Sequence, residues 1–182
     1  MSKLIKNIRR SNQYQIGGVA VLIGIDTFEN GKNTLVVTPG TAGADSTVAL
    51  ATGITVKPVV IEFEEGGDNV CSFSDNTAFG TNTYLVPTLG FKIAGRSNAL
   101  NETMKAFDLG RTSFVLKTKT GEHLVVGAKN GLKATQNNSG GDGTPAGFFG
   151  NDLVLTGGEI ERSPSITEAS FDALLALIPT DV

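Results

Sequence analysis

Among 182 residues there is one cysteine, one histidine and no tryptophan. A zinc site takes three or four Cys, His or carboxylate ligands, for which Cys71 and His123 leave few routes, and a lone cysteine cannot make an intrachain disulfide. Charged residues are sparse at 18%, while hydrophobic residues reach 40%; such a chain has a core to bury and is not disordered throughout. Long apolar runs are missing too. The longest, Ile16 to Ile25, has ten residues and three glycines, against the ~20 that span a bilayer. Asp26-Thr27-Phe28-Glu29 stands where a signal peptide would have its small-residue cleavage site, so the run reads as a strand. A net charge of −3 argues against a dedicated nucleic-acid or anionic-membrane binder. The charge is uneven: Lys3, Lys6, Arg9 and Arg10 make residues 1–10 a local +4, leaving −7 on the rest. The chain thus reads as a basic arm, residues 1–15, on an acidic body.

What is present is strand signal and turn signal. Val19 to Phe28 is rich in β-branched residues, Asn30-Gly31 favours the positive φ angles of a type I′ turn, and Thr34–Thr38 is expected to return antiparallel as a hairpin. Residues 39–53 read as a Gly-rich loop with a short strand at Ser46–Leu50. Val59, Ile61 and Phe63 alternate with Val60, Glu62 and Glu64, which places the first set on a buried face. After the turn Gly66-Gly67-Asp68-Asn69, a hairpin partner is expected to set Cys71 beside Phe73 on a core face. Tyr84 to Ile93 is extended, with Pro87 and Gly90 favouring an edge or bulge. The spacing of Leu100, Met104 and Phe107 predicts a helix over Asn98–Leu109, capped by Ser97 or Asn98 and closed by Gly110 at C′. Ser113–Lys119 and His123–Gly127 form a second predicted hairpin. Residues 136–150 read as a second Gly-rich loop, followed by Asp152–Thr156 and Glu159–Arg162 as a closing strand or strand pair. Ser165-Ile-Thr-Glu168 has capping-box spacing ahead of a final helix with Phe171, Leu174, Leu175 and Ile178 on its apolar stripe, stopped by Pro179. The sum is mainly β, a β-rich α+β chain: an antiparallel β-sandwich or barrel with one packed amphipathic helix and a C-terminal helix.

Catalytic chemistry finds little footing. Gly140-Gly-Asp-Gly-Thr144 lacks the lysine of a phosphate-binding loop and occurs once, whereas calcium-binding β-helices repeat such a motif; it reads as turn chemistry, as does Lys32 after Asn30-Gly31. His123 has no nucleophile motif to serve, and Cys71 reads as a small core residue. The acidic group Glu62, Glu64, Glu65 and Asp68 is either a solvated hairpin face or an electrostatic surface with a purpose. No catalytic residue, metal ligand or cofactor is implied, and an enzyme is the least expected class.

The order of elements, with its first hairpin, long Gly-rich loop, further strands, one amphipathic helix and a hairpin running into Leu124-Val-Val-Gly-Ala-Lys-Asn-Gly131, is similar to the tail-tube-like virion proteins of tailed bacteriophages. The stretch Gly147-Phe-Phe-Gly-Asn-Asp-Leu-Val-Leu-Thr-Gly-Gly-Glu159 followed by Pro164 resembles the terminal strand of structural proteins from phages of Bacteroides-type hosts, including the crAss-like group. The resemblance spans residues 15–164 and divides the chain into the arm 1–15, a tail-tube-like β domain 16–164, and a helix and tail 165–182. The last of these departs from the simplest tube pattern and leaves a neck or collar ring open beside a tail tube.

The resemblance implies a non-enzymatic virion subunit, assembled in the host cytoplasm, forming homo-oligomeric rings with neighbouring virion proteins around a channel through which genome DNA passes without specific binding. No membrane is involved. It implies lumen-facing roles for Glu62, Glu64 and Glu65, where like charge keeps DNA off the wall. It also implies an inter-subunit role for Lys3, Lys6, Arg9 and Arg10, and assembly-loop roles for Gly40, Gly43, Asp45, Gly140, Asp142, Phe148 and Phe149. The alternative is a stand-alone β-sandwich binding or decoration module that contacts a receptor or capsid through aromatics at a loop end, for which Phe148 and Phe149 are the adjacent pair, with Phe79 and Tyr84 nearer the middle.

Overall fold

The computed structural model describes residues 18–63, 70–79, 83–95, 97–141 and 149–178. In chain order the elements are β1 (Val19–Asp26), β2 (Phe28–Glu29), β3 (Lys32–Asn33), β4 (Leu35–Thr38), β5 (Thr47–Leu50), β6 (Val59–Glu62), β7 (Val70–Ala78), β8 (Tyr84–Ala94), α1 (Asn98–Leu109), β9 (Thr112–Thr118), β10 (His123–Val126), β11 (Lys133–Gly141), β12 (Phe149–Thr156) and α2 (Glu168–Leu175). The chain is mostly β, with antiparallel sheets and two helices among the described residues. One four-stranded sheet runs β10-β9-β1-β6 and a second runs β11-β12-β8-β7.

Between the two sheets lies one core, built from Val19 and Leu22 of the first sheet's β1, Phe114 and Leu116 of β9, and Leu89, Phe91, Leu153 and Leu155 of the second sheet. Helix α1 closes this sandwich. Its Phe107 stands 6.0 Å from Phe91 and 5.8 Å from Phe114, so one helix ring touches both sheets. The capping agrees with the sequence expectation at the N-terminus, where the Ser97 hydroxyl accepts from the Leu100 amide. It differs at the other end. Gly110 keeps a φ of −97°, and what favours glycine there is the close approach of the Ala106 carbonyl, 3.0 Å from where a Cβ would stand.

The first sheet is covered on its other face as well. Ile23, Ile25, Val115 and Val125 meet Leu35 and Val48 of the β4–β5 pair and Phe171 and Leu174 of α2 in a second core. Neighbouring residues of β1 and β9 therefore point into different cores. That explains the unbroken burial from Thr112 to Leu116, a pattern that one-sided alternation does not produce.

Several expected pairings are corrected. Asn30 (φ 52°) and Gly31 (φ 76°) do make a tight turn with positive φ, but it joins only β2 to β3. Both edges of β1 are taken by β6 and β9, and buried Thr34, bonded through its hydroxyl to the Asp26 and Thr27 carbonyls at 2.5 and 3.3 Å, marks where the chain leaves β1. β4 then pairs with β5. The β6–β7 hairpin is absent, because β6 pairs with β1 while β7 pairs with β8 across the sandwich; Phe63, 6.3 Å from Phe91, is buried where the chain crosses between sheets. Its turn, residues 66–69, lies outside the described residues. Cys71 and Phe73 do face the core, whereas Val59 is 42% exposed on edge strand β6.

β8 is an inner strand, not an edge. Pro87 fits because β12 ends opposite Thr88, and the Pro87 carbonyl accepts from Gly157 just beyond that end. Residues 136–141, expected as loop, belong to edge strand β11, whose polar side chains are mostly solvent-facing. Of Glu159–Arg162 only Glu159 pairs, with Leu85. The cap of α2 is Thr167, which accepts from the Ser170 amide. Ser165 instead bridges to Leu124.

Candidate functional site

A groove of about 510 Å³ opens beside β4. Leu35, Val36 and Val37 form one wall, Val125, Gly127 and Ala128 lie at its base, and the Glu159–Pro164 segment forms the far wall. The backbone of β4 faces it with groups that have no partner among the described residues. Ala51 N–H donates to Thr34 C=O, and Val48 N–H points away from β4 to the Ser170 hydroxyl. In an antiparallel ladder this fixes the alternation. Val36 and Thr38 bond to Ala49 and Thr47, while Leu35 and Val37, opposite Leu50 and Val48, turn their N–H and C=O groups outward to the groove. Pro39 follows with no N–H to leave unpaired, a usual device at sheet edges.

The rim is held by polar contacts. Buried Glu159 accepts from the amides of Lys129 (3.3 Å) and Asn130 (3.0 Å), fixing the turn between Gly127 and Gly131. Lys129 and Glu161 pair at 3.4 Å with both side chains largely exposed, and Asn33 Nδ2 donates to the Lys129 carbonyl at 3.4 Å. Beneath the turn, buried Ser113 donates to the Gly127 carbonyl at 2.7 Å and lies 3.0 Å from the Thr27 hydroxyl. Near the other edge of the outer layer, Glu29 accepts from the Thr55 hydroxyl and from the Thr55 amide at 2.7 Å. The Thr55 hydroxyl, followed by its amide, holds the Glu29 carboxyl below the usual carboxylate range.

The residues singled out from sequence separate in space. Glu62 is exposed on edge strand β6; Glu64, Glu65, the basic residues Lys3, Lys6, Arg9 and Arg10, and Asp142 and Phe148 lie outside the described residues. Gly40, Gly43 and Asp45 belong to the β4–β5 connection around a 3₁₀ turn at Thr41–Gly43. Asp45 lines a cleft with Gly121, Glu122, His123 and Glu168. Gly140 pairs with Gly150, and half-exposed Phe149 pairs with Gly141 at the tip of the β11–β12 pair. The Lys119 amide donates to Gly18, whose surroundings include Cys71, so the point where residues 1–17 enter β1 lies at the end of the sandwich that holds the Gly121 turn.

The opposite end of the second sheet carries exposed apolar side chains: Phe79 (85%), Tyr84 (49%) and Ile160 (79%). Tyr84 and Ile160 come to the same end of the sheet, and Phe79 lies one residue past the β7–β8 pairing. Ala78 pairs with Tyr84, the Tyr84 ring lies about 3.8 Å from the Cβ position at Gly158, and Glu159 pairs with Leu85. Sequence reading named Phe79 and Tyr84 only as module aromatics and missed Ile160 and the groove.

His123 is buried against Phe171, ring centroids 4.9 Å apart, and its Nε2 has no hydrogen-bond partner among the described residues. Cys71 is buried and unpaired, with burial pushing its thiol up to about 12. Among the described residues no three His, Cys, Asp or Glu side chains converge on a metal-sized site, and no helix is long and apolar enough to cross a membrane. No protein-family model, curated protein or solved structure matches the chain.

Proposed function

We propose that this chain is a structural subunit that self-assembles into rings, as part of a phage tail tube or neck around a DNA channel. The observation that carries the reading is the apolar group Phe79, Tyr84 and Ile160 at one end of the second sheet. Large apolar side chains left in water at one end of a sheet are covered when that end meets another subunit, and exposed apolar surface of this kind marks contact sites. The other end of that sheet holds Gly140, Gly141 and Phe149, so the two ends differ in chemistry. Unlike ends favour head-to-tail contacts, which close into rings or stack into open tubes.

The lumen role of the glutamates belongs to this proposal. Carboxylates on a channel wall repel phosphates, the reverse of the Lys and Arg contacts that hold DNA tightly. Neutralising Glu62, Glu64 and Glu65 together is expected to leave assembly intact and to impede genome passage. Collapse of assembly with normal passage in surviving particles removes the lumen assignment.

The experiment for assembly is light scattering on the full chain over a concentration series, with Phe79→Ser and Ile160→Ser as the comparison. Mass rising to a fixed multiple of 18.9 kDa, lost in the double variant, is the expected result. A monomer at every concentration overturns self-assembly and moves the binding-module reading forward.

A further inference from the structure

We propose that the free edge of β4 is a strand-addition site, and that its occupant is the segment Gln13–Gly17 of a second copy of this chain. The inference rests on the self-assembly reading above and names one contact within it. The edge offers a defined set of bonds: outward N–H and C=O groups on Leu35 and Val37, two residues apart. Among the described residues nothing bonds to them. An incoming strand pairs with such a spacing directly, and its affinity comes from these backbone bonds.

The groove also states what side chains the strand must carry. Leu35 and Val37 turn their side chains to the second core while Val36 is half-exposed on the other face. A strand added beside β4 has one face over Val125 and Ala128 and the other in water, so its residues must alternate apolar and polar. Proline is excluded wherever an amide must reach the edge. Gln13-Tyr14-Gln15-Ile16-Gly17 satisfies this pattern: Tyr14 and Ile16 fall on one face, Gln13 and Gln15 on the other, with no proline.

Covalent reach selects another copy as the donor. Gly18 stands at the start of β1, beside Lys119. The groove base at Val125 is level with Val115 and Ile23, five residues along β1 and two strands across. At ~3.3 Å per residue and ~4.8 Å per strand, this is about 20 Å from Gly18. Tyr14, four residues before Gly18, extends no further than ~14 Å from it. The segment therefore falls short of its own groove and can fill only a neighbour's.

The test uses full-length chains and a labelled synthetic peptide of residues 8–17. Val37→Pro removes one outward N–H and leaves the β4–β5 bonds in place; Ala128→Arg fills the groove base without touching β4; Gln15→Pro breaks the donor, because in a strand parallel to β4 Gln15 lies opposite Val36, on its outward face, and bonds to Leu35 and Val37. Thermal unfolding identifies the receptor variants that keep the fold. Self-association is expected to weaken at least tenfold in each variant. The peptide is expected to bind the Gln15→Pro chain, whose own donor is disabled, and to bind Val37→Pro and Ala128→Arg at least tenfold more weakly. Peptide binding that is absent from the Gln15→Pro chain, or equal across the variants, overturns the strand-addition site. If the wild-type chain is a monomer but the peptide still discriminates among the variants, self-assembly fails and the site stands. If the wild-type chain assembles and all variants assemble equally, the site fails and self-assembly stands.

Discussion

Leu22 and Ile23 are adjacent in β1 and each is 1% exposed or less, yet they belong to different cores. Leu22 packs between the two sheets, and Ile23 packs beneath the β4–β5 pair and α2. Both faces of the first sheet are thus buried. Leu22→Ala and Ile23→Ala are each expected to destabilise the fold by about 2–5 kcal/mol, read by chemical denaturation. A cost below about 1 kcal/mol for Ile23→Ala contradicts the outer layer, since surface positions show changes of about that size or less.

Gly131 and Gly43 separate two reasons for glycine. Both have positive φ, 69° and 83°, but a Cβ at Gly43 meets open space while one at Gly131 would stand 2.1 Å from the Thr27 hydroxyl. Gly43→Ala is expected to cost about 1–2 kcal/mol from backbone strain alone. Gly131→Ala adds the displacement of buried Thr27 and is expected to cost about 2–5 kcal/mol in all. Equal melting temperatures for the two variants contradict the packing of the Gly127–Gly131 turn on Thr27.

Glu29 gives an acid-side prediction. Its carboxyl is held below the ordinary range, first by the Thr55 hydroxyl and then by the Thr55 amide, so the folded state favours the ionised form. The contribution is present above the ordinary carboxylate pKa and is lost as pH falls through the lowered folded value. Thermal unfolding of wild type and Glu29→Gln is expected to differ at pH 7 and to converge on acidification. A constant difference across that range contradicts the assignment.

Cys71 gives the opposite limb. Burial pushes its thiol from an ordinary value near 9 to about 12, so above pH 9 the unfolded chain gives up a proton that the folded chain keeps. Stability is expected to fall by at most about 1.4 kcal/mol per pH unit across that window, and Cys71→Ala removes this slope. Thiol reagents are expected to label Cys71 only as fast as the sandwich opens; rapid labelling of the native chain contradicts its burial.

The sequence carries the elements better than their partners. Helix α1 was legible from Leu100, Met104 and Phe107 and its Ser97 cap, and the β9–β10 hairpin from Thr120-Gly121, because both are set within a dozen residues. Pairing is set by distant contacts. Nothing near Val19–Asp26 says that β6 and β9 take both its edges, and Asn30-Gly31 makes its turn without carrying the pairing into β4. Polar Gln136–Ser139 looked like loop because β11 is an edge strand with little to bury. The signal for the third layer was present in Phe114-Val115-Leu116, a continuous apolar run where one-sided burial calls for alternation. The groove was not legible at all. Whether an edge is free depends on which strands fail to reach it, and only Pro39 hinted that one lay near.

Self-assembly is tested most directly by electron microscopy of the purified full-length chain at high concentration. Closed rings or stacked tubes of uniform diameter with an open channel are the expected result. A field of single particles the size of one 18.9 kDa chain, unchanged as concentration rises, contradicts it.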